Sequence, residues 1–171
     1  MAHDVFISYS AKDKATADGV CATLEAKGIR CWIAPRDILP GMDWGEAIIE
    51  AINGSRVIVL VFSSNANDSQ QIKREVERGV SKGLPIIPFR IKNVAPARSL
   101  EYFIGPVHWL DALTPPLETH LQNLAETVRL LLLTRPQRSK VWRLERSFGS
   151  RAVCAGPVSP RPAAHAADAG D

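Results

Sequence analysis

The 171 residues hold no apolar run long enough to cross a bilayer. The longest stretches, Val57 to Phe62 and Leu130 to Leu133, fall far short of the roughly 20 residues that a spanning helix needs. The amino terminus, Met1-Ala2-His3-Asp4, passes directly into a strand-like segment without a basic region, apolar core or cleavage site. No signal peptide is therefore expected, and the chain reads as cytoplasmic with no membrane partner. Cysteine is scarce: Cys21, Cys31 and Cys154 have neither the paired spacing of a zinc site nor the density of a disulfide framework. No metal is expected, and the three read as free thiols, Cys21 and Cys31 as small apolar core residues. Also missing is a glycine-rich phosphate loop, so the dinucleotide-fold and P-loop readings fail at the motif level. Charge of one sign does not dominate: residues 1–134 carry 14 basic and 15 acidic side chains, and 135–171 carry 7 and 3. A basic tail on a neutral body argues against a nucleic-acid partner, because such readers carry their charge on a folded face.

What remains is an ordinary globular composition, 46% hydrophobic and 23% charged, enough for one core. Asp4 to Ser8 reads as a short strand, Lys12 to Lys27 as a helix with Ala15, Val20 and Leu24 at helical spacing, and Gly28 as its cap. Ile29 to Ala34 reads as a second strand, 35–43 as a loop, and Trp44 to Ile52 as a helix. Val57 to Phe62 is apolar without alternation, as expected of a central parallel strand buried on both faces. A helix over 69–82 follows, with Asp68 and Gln71 spaced like a capping box, then a strand over 84–91, a short one over 107–110, and an amphipathic helix over 116–133. Alternating strands and helices predict an α/β doubly wound fold: a flavodoxin-like three-layer sandwich on a five-stranded parallel sheet of order 2-1-3-4-5. Ligands bind such sheets outside the carboxyl ends of the strands where the winding reverses, here the loops near 8–13 and 63–68, with 35–43 beside them. Residues 135–171, rich in Pro, Ala, Arg and Ser, are expected to form a disordered tail or linker.

Those segments also carry a resemblance. Asp4-Val-Phe-Ile-Ser-Tyr-Ser10 resembles the first box of Toll/interleukin-1 receptor (TIR) domains. Cys31-Trp-Ile-Ala-Pro-Arg-Asp-Ile-Leu-Pro-Gly41, followed by Asp43-Trp44, is similar to the family's second strand and BB loop. Glu75-Val-Glu-Arg78, Leu84 to Ile91 and His108-Trp-Leu-Asp111 complete a pattern similar to bacterial members, across residues 3 to about 134. The resemblance implies a TIR domain over 1–134. It further implies either an NAD+ nucleosidase, releasing nicotinamide and ADP-ribose or a cyclic form in bacterial antiphage defence or signalling, or a non-enzymatic adaptor working through TIR-to-TIR contacts. NAD+ is then a substrate rather than a cofactor, and other TIR domains are partners whose self-association completes the site.

In enzymatic members a glutamate on the third helix is essential, and the matching position is Glu75. One carboxylate suffices for this chemistry. Nicotinamide leaves a pyridinium as a neutral base, so no general acid is needed, and a fixed carboxylate can stabilise the ribosyl cation. Taking Ile72, Val76 and Val80 as the sheet-facing stripe puts Glu75 and Glu77 on opposite flanks. Spacing does not choose between them; the resemblance selects Glu75, with Glu77 as the fallback. The plain alternative for either is a solvated helix face. Ser8, Tyr9 and Ser10 at the end of the first strand, Trp32, Trp44 and Ser69 are candidate substrate contacts, although Trp32 also reads as core and Ser69 as a helix cap. Arg36 and Asp37 are candidates for a phosphate or ribose contact, or for pairing with another subunit. A phosphoacceptor receiver would need acidic residues where Ser8-Tyr9-Ser10 and Ser63-Ser64 stand, and is rejected.

Overall fold

Strand β3, Val57–Phe62, is six apolar residues, every one buried. Such a strand needs a neighbour on each edge and a helical layer on each face. The computed structural model describes residues 3–134 and supplies both. Strands β1 (Val5–Ser8), β2 (Cys31–Trp32), β4 (Ile86–Arg90) and β5 (Leu110–Asp111) complete a wholly parallel sheet of order β2-β1-β3-β4-β5, as the sequence predicts. Alternation along β3 splits the core into two. Val57, Val59 and Val61 pack under α1 (Lys14–Ala26) and α6 (Leu117–Thr134) through Val20, Leu24, Leu124 and Val128. Ile58, Leu60 and Phe62 pack under α2 (Trp44–Gly54), α4 (Gln70–Ser81) and α5 (Arg98–Ile104) through Ile48, Ile52, Ile72, Val76 and Leu100.

Several local expectations change. Strand β2 shrinks to two residues because the Ile33 amide donates to Asp37 Oδ2 at 2.8 Å instead of extending the ladder. Strand β5 begins at Leu110, where Arg90 grips Asp111 with two hydrogen bonds of 2.6 and 2.8 Å. The four-residue helix α3 (Ser64–Asn67) and the seven-residue α5 carry too few residues to display a period, so the sequence pattern misses both. Asp68 is not the cap of α4: it closes α3, and Ser69 caps α4 by accepting the Ile72 amide at 3.3 Å. Gly28 and Gly83 end their helices with φ of 75° and 69°, which glycine tolerates. Cys21 and Cys31 are free and buried, while Cys154 and the rest of the 135–171 tail lie outside the described residues.

The sheet-facing stripe of α4 also differs from the sequence reading. It is Ile72, Glu75, Val76 and Gly79, with Val80 41% exposed. Gly79 permits this close approach, because a Cβ there would sit 2.3 Å from Ile58 Cδ1. The helix lies on the sheet through bare backbone, and Glu75 turns inward with it. We expect Gly79→Ala to lower the melting temperature by several degrees, a cost of about 1–3 kcal/mol from overpacking, despite alanine's better helix propensity. In an Ile58→Val background, where the obstructing methyl is gone, thermal unfolding should show the same substitution to be neutral or stabilising.

Candidate active site

Ser8 ends β1 on the same face as Phe6, directed toward α4, and its hydroxyl donates to Glu75 Oε2 at 2.6 Å. One turn earlier on α4, Gln71 Nε2 donates to Oε1 at 3.0 Å. Glu75 is 7% exposed, and burial pushes its pKa up while the bonds from Ser8 and Gln71 pull against that rise. Two other acids are buried among the described residues: Asp13, which accepts from Ser63 and Asn65, and Asp4 beside β1, whose pKa moves the opposite way to that of Glu75. Burial also raises Asp4, but hydrogen bonds and charge from Arg30, with Arg56 adding to them, outweigh it and hold the carboxyl below its ordinary range. Asp4 is thus paired at the amino end of the sheet, whereas Glu75 at the carboxyl end has, among the described residues, two neutral donors and no cation. A carboxylate in a cleft whose pKa is displaced by burial is a candidate functional group.

Over Glu75 opens a cleft of about 450 Å³, lined by Tyr9, Ser10, Trp32, Pro35, Trp44, Ser69 and Gln71 among others. Its volume suits a nucleoside-sized ligand. Trp32 is buried and stacks on Phe6 with ring centroids 5.0 Å apart, so one residue forms both core and cleft wall. The Tyr9 hydroxyl donates to the Ala34 carbonyl, tying the end of β1 to the start of the 35–43 loop. Ser69 serves as helix cap and lining residue together. Trp44, 48% exposed, stands at the rim. Among the described residues that line the cleft Glu75 is the one carboxylate, whereas ordinary glycosidases use two.

Six of the nine sequence candidates therefore line this cleft, and Ser8 joins them through its bond to Glu75. Arg36 and Asp37 do not. Arg36 bonds Asp37 Oδ2 at 2.9 Å, Glu25 Oε1 at 2.9 Å and the Cys31 carbonyl at 3.0 Å, and it lines a separate hollow with Lys14, Asp18 and Cys21. Asp37 in turn accepts the Ile33 amide, so the pair staples the loop to β2 and α1. The fallback Glu77 is exposed. Gln71 is the site residue that sequence reading missed as such. Its position four residues before Glu75 is the signal that could have found it.

A protein-family model described as TIR domain matches residues 5–126. The chain belongs to the TIR domain family. Among solved structures, the TIR domain of the Toll-related receptor TRR-2 from Hydra magnipapillata is 25% identical with a TM-score of 0.64, over 75% of this chain and 99% of that one. The TIR domains of the activated Roq1 resistosome, at 17% identity and a TM-score of 0.61 over 74% of this chain and 99% of that one, share the fold. A stimulator of interferon genes protein from Magallana gigas is 33% identical over 75 residues, which are 43% of this TIR chain and 18% of that protein. The match thus spans under a fifth of that relative. The two relatives with a named source are animal, so the family stands while the bacterial branch suggested by the resemblance has no counterpart among them. Among the described residues of the TIR domain, no helix is long and apolar enough to cross a membrane.

Because the folded state disfavours ionised Glu75, the penalty grows as pH rises above the ordinary glutamate value of 4.5 and is constant once the raised pKa is passed. Glu75→Gln removes it. Differential scanning from pH 3.5 to 8 should show the variant melting above the parent at neutral pH, with the gap closing below about pH 4.

Proposed function

We propose that this TIR domain is an NAD+ glycohydrolase with Glu75 as its catalytic carboxylate. The observation that carries the reading is the buried Glu75, held between Ser8 and Gln71 beneath an aromatic cleft and without a cation of its own. The substrate supplies that cation. As the bond between the anomeric carbon and the pyridinium nitrogen breaks, its electron pair passes to nitrogen and nicotinamide leaves neutral, while positive charge spreads over the ribose carbon and ring oxygen. An ionised Glu75 stabilises that charge best where water is excluded, with no reorganisation needed in its fixed position. Water then adds to the carbon and loses a proton, giving ADP-ribose; attack by the substrate's own adenine gives the cyclic product instead. Tyr9, Trp32 and Trp44 offer faces for a flat ring, and Ser10 and Ser69 offer hydroxyls.

Self-association belongs to the same reading. Leu39 and Met42, on the loop before α2, are 65% and 41% exposed beside the cleft-rim Trp44, an apolar edge suited to a second TIR domain. That edge also favours the adaptor reading, in which the contact is the whole function. The setting in antiphage defence rests on the resemblance alone.

Incubated with NAD+ at high protein concentration or with a crowding agent, the chain should release nicotinamide, and Glu75→Ala should reduce the rate by at least about a hundredfold. No release under assembling conditions would leave the adaptor reading; equal release by the variant would remove Glu75 from the mechanism. Activity should fall on the acid side with a midpoint above the ordinary glutamate range. Ser8→Ala should move that limb to higher pH, because the lost hydrogen bond favours the ionised carboxylate.

A further inference from the structure

A second hollow of about 760 Å³ runs between α2 and α4. Its α2 wall is apolar, formed by Trp44, Ile48, Ile49 and Ile52, with Ile49 41% exposed. Its α4 wall is cationic. Arg74, Arg78 and Lys82 recur at four-residue spacing, which stacks them along one face, and none of them forms an ion pair among the described residues. With Glu77 as the exposed acid on that wall, the balance is positive. Asn53 Oδ1 accepts from Arg78 Nη2 at 3.3 Å, which fixes the guanidinium from across the groove. Arg78 Nε is buried with no hydrogen-bond partner among the described residues. A buried donor without an acceptor costs stability.

We propose that this groove is the subsite for a nucleoside diphosphate, namely the adenosine diphosphate half of a dinucleotide whose other half reaches Glu75; the proposal rests on the reading of Glu75 given above. Trp44, Gln71 and Glu75 border both hollows, so a single ligand can span them. Arg78 lies three residues beyond Glu75, about 4.5 Å along the helix axis. Two guanidiniums one turn apart match a diphosphate in charge and in planar, bidentate geometry. The exposed faces of Trp44 and Ile49 give the adenine an apolar seat opposite. The arrangement also makes a specificity statement. Nicotinamide mononucleotide, which presents the same scissile bond but lacks the adenylyl group, should be a poorer substrate than NAD+.

The test uses ADP, which has no bond for Glu75 to break, as the probe. Calorimetric titration of the purified chain should show saturable ADP binding, weakened at least tenfold in the Arg74→Ala/Arg78→Ala double variant and in Ile49→Asp. The second variant adds a repelling charge at an exposed position without touching the arginines. With NAD+ as substrate, the double variant should raise KM at least tenfold, with little change in kcat, and bring kcat/KM down toward the parent's value for nicotinamide mononucleotide. Absent ADP binding, or equal binding by parent and variants, overturns the subsite even if Glu75-dependent cleavage is found. Groove-dependent ADP binding without any cleavage supports the subsite and counts against the enzymatic reading alone.

Discussion

A strand apolar at every position cannot be left half covered, and β3 is such a strand. Its two faces draw the helices into two layers, α1 and α6 beneath one, α2, α4 and α5 beneath the other. Parallel pairing on both of its edges sends the chain outward in opposite directions, through β1 to β2 and through β4 to β5. A crevice then opens at the carboxyl ends of β1 and β3, where the connections diverge. Ser8 ends one of those strands, and α4 crosses beside the crevice after leaving the other. The position of the site follows from how the core must be covered.

Within that frame the decisive contact is polar. The stripe of α4 that packs on the sheet contains three small or apolar residues and one acid, Glu75. Fold stability alone would favour an apolar residue there. Two neutral donors satisfy the carboxyl oxygens without supplying a compensating charge, so the group is held in place yet remains short of a cation. On the proposed enzymatic reading, ground-state cost and transition-state stabilisation arise from the same burial, the usual exchange of stability for function. Arg36 and Asp37 act differently: they saturate one another and the neighbouring backbone, fixing the root of the 35–43 loop while leaving its apolar tip exposed.

Likeness to the Toll-related receptor and resistosome TIR domains speaks to the architecture, and a single architecture supports several functions. The enzymatic reading therefore rests on the side chains around Glu75. The groove between α2 and α4 extends the same logic, since an uncompensated row of cations beside an uncompensated carboxylate suits one ligand with both a positive and a negative end.

Much of this was legible in the amino-acid order. Strand and helix alternation, the unbroken apolar run of β3, and glycines at 28 and 83 marked the elements, because periodicity and backbone freedom are local properties, and the strand order followed from the doubly wound class that the alternation implies. The motif positions brought Glu75, Tyr9, Trp32, Trp44 and Ser69 into consideration. The choice between Glu75 and Glu77 was not available from spacing, since the assumed stripe ended on Val80. Only the packed structure, in which bare Gly79 meets Ile58, rotates α4 so that Glu75 faces Ser8 and Val80 faces out. The same holds for Gln71, read as half of a cap and found beside the carboxylate, and for Arg36, whose partners lie 11 and 5 residues away in sequence. Sequence determines which residues are apolar and where the chain turns; which polar groups meet, and which are left without a counter-charge, is decided by close packing between elements, where one absent Cβ lets a helix approach the sheet.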